Sequence, residues 1–189
     1  MNIVQIGCDD CQDEAFKVIS ENKDSIERLI IIDAMPTAIK NANERYSYLG
    51  SKFTAVQCAI GSINGIVKIY HPNDNTGRCA QASLLKDLTS KCFHDIVYTY
   101  VPCLTINDFL ESTDLKTIDH FFIDIEGLDA SVLLDMNFDK FLPNNILCEY
   151  SHADGHFKTT DKYNNLLEKL SLYRYKVSIM DRFNMRCIL

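Results

Sequence analysis

The sequence has no apolar run that approaches the roughly 20 residues a helix needs to span a bilayer, and its lysines and arginines are scattered singly. The net charge is −7 and the pI is near 5.2. We therefore expect no membrane-spanning helix and no nucleic-acid groove, which usually shows as a basic patch. The chain also lacks an Asn-x-Ser/Thr acceptor, and its N-terminus lacks the basic region and apolar core of a signal peptide. Nothing in the sequence favours secretion.

The eight cysteines are the one feature that could suggest a secreted, disulfide-bonded protein. Most of them stand in apolar, strand-like stretches, as at Cys58, Cys103, Cys148 and Cys187. In that setting they are typical of small buried hydrophobic residues in a reducing compartment. We predict a cytoplasmic protein.

Strand-like and helix-like segments alternate along the chain, which is the pattern of an α/β fold. Predicted strands cover residues 2–6, 29–32, 53–58, 66–70, 96–103, 121–125 and 146–150, followed by a hairpin of 175–180 and 185–189. Predicted helices cover 12–22, a segment from Pro36 to Tyr46, Thr105 to Leu110, 129–136 and a segment around 163–170. No repeat or linker divides the chain, so we predict a single domain, 1–189. We expect a Rossmann-like, mostly parallel sheet with helices on both faces and a C-terminal antiparallel hairpin.

In such sheets ligands bind beyond the carboxyl ends of the strands, and the first of these ends carries Gly7. A glycine between a strand and a helix permits a tight turn and a close approach to a ligand, and the helix N-terminus favours an anionic group. An ordinary strand-to-helix turn explains this glycine equally well. Arg78 and Ser83, in and beside the polar loop 72–80, are candidates for gating a substrate, although a plain surface loop is the default.

Cys8 and Cys11 have the C-x-x-C spacing of thioredoxin-like proteins, and half of a zinc site is a second alternative. No second C-x-x-C or histidine pair completes a zinc site. The acids Asp9 and Asp10 between the two cysteines disfavour a thiolate. We therefore predict neither a redox centre nor a metal site.

Asp33 ends the second predicted strand. An acid at this position can accept hydrogen bonds from both hydroxyls of a ribose, as in proteins that bind NAD or S-adenosylmethionine. The alternative is that Asp33 caps the helix that begins near Pro36.

Asp124 and Glu126 follow the apolar segment Phe121–Ile123. Two acids at the end of a buried strand are costly unless they meet a ligand or hydrogen-bond donors. Alternate strand residues share a face, so both side chains can point into one cleft. The alternative is a charged strand-to-loop transition in which Glu126 caps the next helix.

Several segments together resemble the FkbM family of S-adenosylmethionine-dependent methyltransferases. The most specific is IDHFFIDIEGLDASVL (118–133), which is similar to the family's "ID-x-L-K-I-D-V-E-G-x-E-x-x-V-L" signature. The others are VQIGCDD (4–10), QCAIGSING (57–65), VPCLTINDFL (101–110) and ILCEY (146–150). They occur in the family's order and cover about residues 2–151. The resemblance implies a class I methyltransferase fold.

The resemblance also assigns roles to residues of this sequence. Gly7, Cys8 and Asp9 would hold the methionine part of S-adenosylmethionine, and Asp33 would bind its ribose. Ala34 and Met35 would contact the adenosine, Cys58, Ala59 and Ile60 would lie along the adenine, and Asp124 and Glu126 would face the methyl-transfer centre. Candidates for the general base are Asp124, Glu126, Glu149 and His152. For His152 a solvated loop histidine is the alternative.

Three positions depart from the family pattern. Cys11 replaces a turn glycine, so we expect the backbone to stand slightly further from the cofactor. Asp129 replaces a glutamate, and Ala34-Met35-Pro36 replaces the commoner "E-P-x-P".

We predict an O-methyltransferase acting on a hydroxyl of a sugar or other small polar metabolite, with the segment 72–95 recognising the acceptor. One alternative is a non-catalytic cofactor-binding module. The other is an NAD-dependent oxidoreductase, although the glycine spacing does not fit the dinucleotide-binding fingerprint. We expect a small-molecule partner and neither nucleic acid nor membrane. The sequence leaves oligomerisation open.

Overall fold

The computed structural model of the chain describes residues 1–73, 81–151 and 161–189. Its strands are β1 (Asn2–Ile6), β2 (Arg28–Asp33), β3 (Phe53–Gln57), β4 (Ala59–Ile60), β5 (Gly65–Pro72), β6 (Ile96–Leu104), β7 (Ile118–Ile123), β8 (Pro143–Glu149), β9 (Lys176–Ile179) and β10 (Asn184–Ile188). Its helices are α1 (Glu14–Glu21), α2 (Pro36–Tyr46), α3 (Lys86–Cys92), α4 (Ile106–Glu111), α5 (Asp129–Asp135) and α6 (Asp161–Leu172). Short 3-10 segments lie at Lys23–Ser25 and Ser47–Lys52.

A seven-stranded sheet in the order β3-β2-β1-β7-β8-β10-β9 forms the centre of the fold. The pairs from β3 to β8 are parallel, whereas β10 pairs antiparallel with both β8 and β9. This confirms the predicted α/β fold and its C-terminal hairpin. The chain builds outward from β1 in one direction through β2 and β3 and in the other through β7 and β8. The strand order thus reverses at β1. The carboxyl ends of β1 and its neighbours β2 and β7 therefore mark the place where such sheets bind ligands.

The apolar strands account for the burial of the sheet on both faces. Successive side chains of a strand point to opposite faces. Accordingly, Val4, Ile30 and Phe121 belong to one buried cluster, while Ile3 and Leu29 belong to the other. A continuous apolar run is what a parallel strand covered on both sides requires.

Local hydrogen bonds fix where three helices begin. The Asp13 carboxylate accepts from the Phe16 N–H and caps α1, so this helix begins two residues later than predicted. Pro36 occupies the first turn of α2, where its missing N–H costs nothing. Thr105 caps α4 by accepting from the Asp108 N–H at 3.2 Å.

A second, three-stranded sheet in the order β4-β6-β5 was not predicted. The sequence indicated strands at 66–70 and 96–103, but they pair with each other in an antiparallel ladder and do not join the main sheet. One face of this ladder carries the buried side chains Ile69, Val101 and Cys103. These side chains pack into the cluster that covers one face of the main sheet, and this packing is why the small sheet lies against the site described below.

Helix α6 is joined to α5 by a partly buried cation. The Lys169 Nζ donates to the carbonyl oxygens of Leu133, Leu134 and Met136 at 2.6–3.0 Å. These carbonyls end α5, where a positive charge also complements the helix dipole. Within the described ranges, no helix combines the length and apolar character that a bilayer crossing requires.

Candidate functional site

The carboxyl ends of β1, β2 and β7 surround a cavity of about 310 Å³. Eleven of the residues that line it are polar or carry small side chains at these strand ends and in the turns that follow: Gly7, Cys8, Asp9, Asp10, Gln12, Asp13, Asp33, Ala34, Cys58, Asp124 and Glu126. The remaining wall is mostly apolar and includes Ala59, Ile60, Ile69, Ala82, Leu84 and Leu128. The cavity therefore has an acidic side and an apolar side.

Gly7 lines this cavity at a position where a residue with a side chain does not fit. Its φ is +79°, a conformation that residues with a Cβ rarely adopt. A Cβ at this position would lie 1.9 Å from the Asp124 carbonyl oxygen. The turn after β1 thus packs directly against the backbone that follows β7, where the Asp124 N–H donates to the Ile6 carbonyl at 2.9 Å.

Asp33 connects the first two strand ends. One carboxylate oxygen accepts from the Cys8 N–H at 2.9 Å, and the other accepts from the Met35 N–H at 2.8 Å. Burial raises the pKa of Asp33, and the two amides oppose this rise. Met35 is the N-cap residue of α2, and no side chain caps this helix. The alternative in which Asp33 caps α2 is therefore wrong, although Asp33 accepts from the N–H of the N-cap residue. Asp33 lines the cavity, and its role in binding a ribose stays a prediction.

The Cys8–Cys11 turn is tight and buried. The Cys11 N–H donates to the Cys8 carbonyl at 2.6 Å, and Cys11 has a φ of 55° with its side chain fully buried. Cys11 thus adopts the left-handed conformation that favours glycine, the residue of the family pattern. A hydrogen bond from the Cys8 thiol to Cys11, and then burial, raise the pKa of Cys8 far above its ordinary value. A thiol with a raised pKa is a poor nucleophile, which argues against the redox alternative.

Asp124 and Glu126 both line the cavity. Glu126 has a φ of 54° and Gly127 a φ of 96°, so the chain reverses sharply after Asp124. Helix α5 has Leu128 as its N-cap residue and no side-chain cap. The alternative in which Glu126 caps this helix is therefore wrong.

Asp129 lies behind this loop and was not among the predicted site residues. It is fully buried, and its Oδ1 accepts from the Ile125 N–H at 3.4 Å while its Oδ2 has no hydrogen-bond partner. Burial, and then the charges of Asp124 and Glu149, raise its pKa well above the ordinary value. Only its place in the D-x-E-G-x-D pattern could have singled it out.

Not every predicted site residue reaches the cavity. Met35 and Glu149 do not line it, because Met35 packs into a core cluster and Glu149, with 6% of its surface exposed, is buried at the end of β8. Ser151 donates to the Glu149 Oε1 at 3.3 Å. His152 and Arg78 fall outside the described residues.

Ile69 and Leu128 also line the cavity and were not predicted. Ile69 is buried in β5 beside residues that are not, which is a weak periodic signal. Gln81, Ala82 and Leu84 line the cavity as well. They lie within the segment 72–95 that was predicted to recognise the acceptor, although none of them was named individually. In the described part of the chain, no group of three histidine, cysteine or acidic residues is arranged to hold a metal ion.

Comparison with known proteins agrees with this architecture. A family model described as a methyltransferase FkbM domain matches residues 10–177, from just after the Gly7 turn to the terminal hairpin. A crystal structure of the methyltransferase FkbM from Methylobacillus flagellatus KT superposes with a TM-score of 0.56 at 15% identity. The alignment covers 100% of this chain and 43% of that one, so the chain spans less than half of that protein's length. No curated protein matches the sequence.

Proposed function

The chain belongs to the FkbM methyltransferase family, and we propose that it transfers a methyl group from S-adenosylmethionine to a hydroxyl of a sugar or other small polar metabolite. The observation that carries the proposal is the convergence of the Gly7 turn, the Asp33 carboxylate and the loop of Asp124 and Glu126 on one cavity. The methyltransferase role comes from the family, and the donor and the acceptor are the proposed part.

The residues around the cavity fit this methyl donor in size and charge. A volume of about 310 Å³ lies at the lower end of the range, roughly 300–1,000 Å³, that is typical of small-molecule sites. The carboxylates of Asp9, Asp124 and Glu126 suit a ligand that carries a sulfonium and an ammonium group. The apolar side chains of Ile60, Ile69 and Leu84 offer a surface for an adenine ring.

Asp33 is the residue best placed to bind the ribose. Its two carboxylate oxygens accept from the Cys8 and Met35 N–H groups, and the Asp9 N–H and the Cys8 thiol also interact with it. A ribose hydroxyl would share these acceptor oxygens, since a carboxylate accepts several hydrogen bonds. The two amide bonds also fix the orientation of the carboxylate before a ligand arrives. Such preorganisation lowers the entropic cost of binding.

When bound, S-adenosylmethionine would supply an activated methyl group. The task of the protein is then to hold the acceptor hydroxyl in line with that group and to remove its proton. Asp124 and Glu126 line the cavity, so either carboxylate can take the proton at a side-chain oxygen. Glu149 does not reach the cavity, which leaves His152 as the other predicted base.

Calorimetric titration with S-adenosylmethionine, S-adenosylhomocysteine and NAD tests the donor. We expect saturable binding of the first two and none of NAD. Binding of NAD alone would refute the proposal. A screen of sugars and other hydroxyl compounds for released S-adenosylhomocysteine tests the acceptor, and binding without turnover on any of them would favour the non-catalytic module.

A matched pair of variants ties the binding to the site. Asp33→Asn retains the shape of the side chain but places an NH₂ group against one of the two backbone N–H donors. We expect the affinity for S-adenosylmethionine to fall by about 10- to 100-fold, since hydrogen bonds to a charged group contribute about 1.5–3 kcal/mol. Asp24→Asn, at an exposed position in the Lys23–Ser25 turn, is the control and should leave the affinity unchanged.

A further inference from the structure

Ser83 is a buried polar residue with 1% of its surface exposed, although the sequence placed it in a surface loop. Its backbone forms a two-way bridge to Tyr70 of β5, with the Ser83 N–H donating at 2.9 Å and the Ser83 carbonyl accepting at 2.8 Å. Its hydroxyl accepts from the Leu85 N–H at 3.0 Å and donates to the Glu126 carbonyl at 2.7 Å. All four bonds have ordinary lengths, so both the backbone and the side chain of Ser83 are fixed by partners.

The direction of the hydroxyl proton follows from these partners. The Leu85 N–H can only donate, and the Glu126 carbonyl can only accept. The single hydroxyl proton of Ser83 must therefore point at Glu126. This is a specific contact between two parts of the chain that are 43 residues apart.

The contact falls on a strained residue. Glu126 has a φ of 54°, a left-handed conformation that residues other than glycine rarely adopt. Such conformations persist when the surrounding structure holds them in place. Here Ser83 fixes the carbonyl of Glu126, and Gly127, with a φ of 96°, completes the reversal of the chain.

The contact also joins opposite walls of the cavity. Ala82 and Leu84, on either side of Ser83, line it from the segment that bridges to β5, while Asp124 and Glu126 line it from the loop after β7. The Ser83 hydroxyl forms a hydrogen bond between these two walls by donating to the Glu126 carbonyl. It does not itself line the cavity, so its effect on a ligand must pass through its neighbours.

We propose that Ser83 is a positioning residue that holds the backbone of Glu126 in its left-handed conformation and thereby directs the Glu126 carboxylate toward the sulfonium of the methyl donor. This inference rests on the proposed function, because it assumes that the cavity binds S-adenosylmethionine. Without the hydroxyl, the Glu126 carbonyl loses this hydrogen bond and the loop can relax. The carboxylate then moves away from its place beside the positive charge.

Ser83→Ala tests this inference. The cationic S-adenosylmethionine should lose about tenfold in affinity, as expected for a lost hydrogen bond that orients a charge. S-adenosylhomocysteine has the same ammonium and carboxylate groups but an uncharged sulfur. It should lose less than about threefold, because its sulfur carries no positive charge for the Glu126 carboxylate to attract. A purely structural role would weaken both ligands equally, and equal losses or no losses would overturn the inference.

Ser112→Ala is the matched control. The Ser112 hydroxyl also donates to a backbone carbonyl at 2.7 Å, that of Phe109, but it lies away from the cavity. This variant should change the affinity for neither ligand. If it changed the ratio of the two affinities as Ser83→Ala does, the effect would be a general response to lost stability and the inference would fail.

A double-mutant cycle with Glu126→Gln identifies the route of the effect. If Ser83 acts through the Glu126 carboxylate, Ser83→Ala should change the affinity of the Glu126→Gln protein for S-adenosylmethionine by less than about threefold, because coupled residues are not additive. A full tenfold loss in that background would overturn the inference. If Ser83→Ala does not fold, Ser83→Cys keeps the volume with a weaker donor, and it should shift the affinity ratio in the same direction. An unchanged ratio in a folded Ser83→Cys protein would contradict the inference.

The two proposals fail in distinguishable ways. A wild-type protein that binds neither S-adenosylmethionine nor S-adenosylhomocysteine refutes the proposed function. A wild-type protein that binds both, together with a Ser83→Ala variant of unchanged affinities, refutes only the role of Ser83.

Discussion

Replacing Gly7 by alanine puts a methyl group into the backbone of the neighbouring strand end. The added Cβ would lie 1.9 Å from the carbonyl oxygen of Asp124 and 2.9 Å from its carbonyl carbon. Both are backbone atoms, so no side-chain rotation relieves the overlap. The turn after β1 and the loop after β7 must separate, and both of them line the cavity.

The magnitude follows from two contributions. A φ of +79° costs alanine roughly 1 kcal/mol relative to glycine, and overpacking of a close backbone contact adds about 1–3 kcal/mol. Gly50→Ala isolates the first contribution, because Gly50 has a φ of 57° but an added Cβ there meets nothing within 4 Å. We therefore expect Gly50→Ala to destabilise by about 1 kcal/mol and Gly7→Ala by about 3 kcal/mol.

Urea denaturation of the two variants and the wild type measures this difference. In thermal unfolding, a chain of this size loses about 2–4 °C for each kcal/mol. The Gly7→Ala midpoint should thus fall by roughly three times as much as that of Gly50→Ala. Gly7→Ala should also bind S-adenosylmethionine more weakly, whereas Gly50→Ala should not. Equal destabilisation by the two variants would refute the steric reasoning.

Three further predictions concern charged groups. Lys169→Met should destabilise the fold by about 1–3 kcal/mol, because three carbonyls at the end of α5 lose their donor. Lys40→Met is the control: the ion pair of Lys40 with Glu44 is exposed, so its loss should cost less than about 0.5 kcal/mol. Similar losses of unfolding free energy in the two variants would contradict this prediction. The pKa of Asp129 is raised in the folded protein, so the folded protein keeps this proton to higher pH than the unfolded chain. The carboxyl's contribution to stability is then fully present below the ordinary aspartate pKa and is lost as the pH rises toward the folded value. Asp129→Asn should accordingly gain stability relative to the wild type as the pH rises above the ordinary aspartate pKa, and a difference that does not change with pH would refute the raised pKa. Finally, Glu126→Gln should weaken S-adenosylmethionine more than S-adenosylhomocysteine, and calorimetry that shows equal losses would remove Glu126 from the sulfonium site.

The strand ends of the site could be predicted because buried parallel strands leave a clear trace in sequence. Segments such as Leu29–Ile32 and Phe121–Ile123 are continuous apolar runs, and each is followed by an acid. Parallel strands bring their carboxyl ends together at one edge, so the sequence alone placed Asp33 and Asp124 near Gly7. The structure shows all three around one cavity.

The small sheet and its contribution to the cavity could not be predicted in the same way. β5 and β6 are strand-like in sequence, but nothing local distinguishes a strand of the main sheet from one that packs on top of it. Ile69 and Ser83 therefore reach the site only through tertiary contacts. The Ser83 hydroxyl contacts a carbonyl 43 residues away, and a serine beside a polar loop gives no sign of such a partner.

Cys11 illustrates a departure that the structure explains in part. The sequence showed only that a cysteine replaces the glycine of the family pattern. In the structure this cysteine keeps a left-handed φ of 55°, and its side chain is buried in the core. The turn therefore retains the conformation that glycine favours, with the thiol packed away from the cavity. The distance from this turn to a bound cofactor stays a prediction.

A crystal structure of the protein with S-adenosylhomocysteine tests the central claim most directly. The proposed site predicts that the ribose hydroxyls lie within hydrogen-bond distance of the Asp33 carboxylate, with the sulfur facing Asp124 and Glu126. Ligand density outside this cavity, or a ribose with no contact to Asp33, would contradict the proposal.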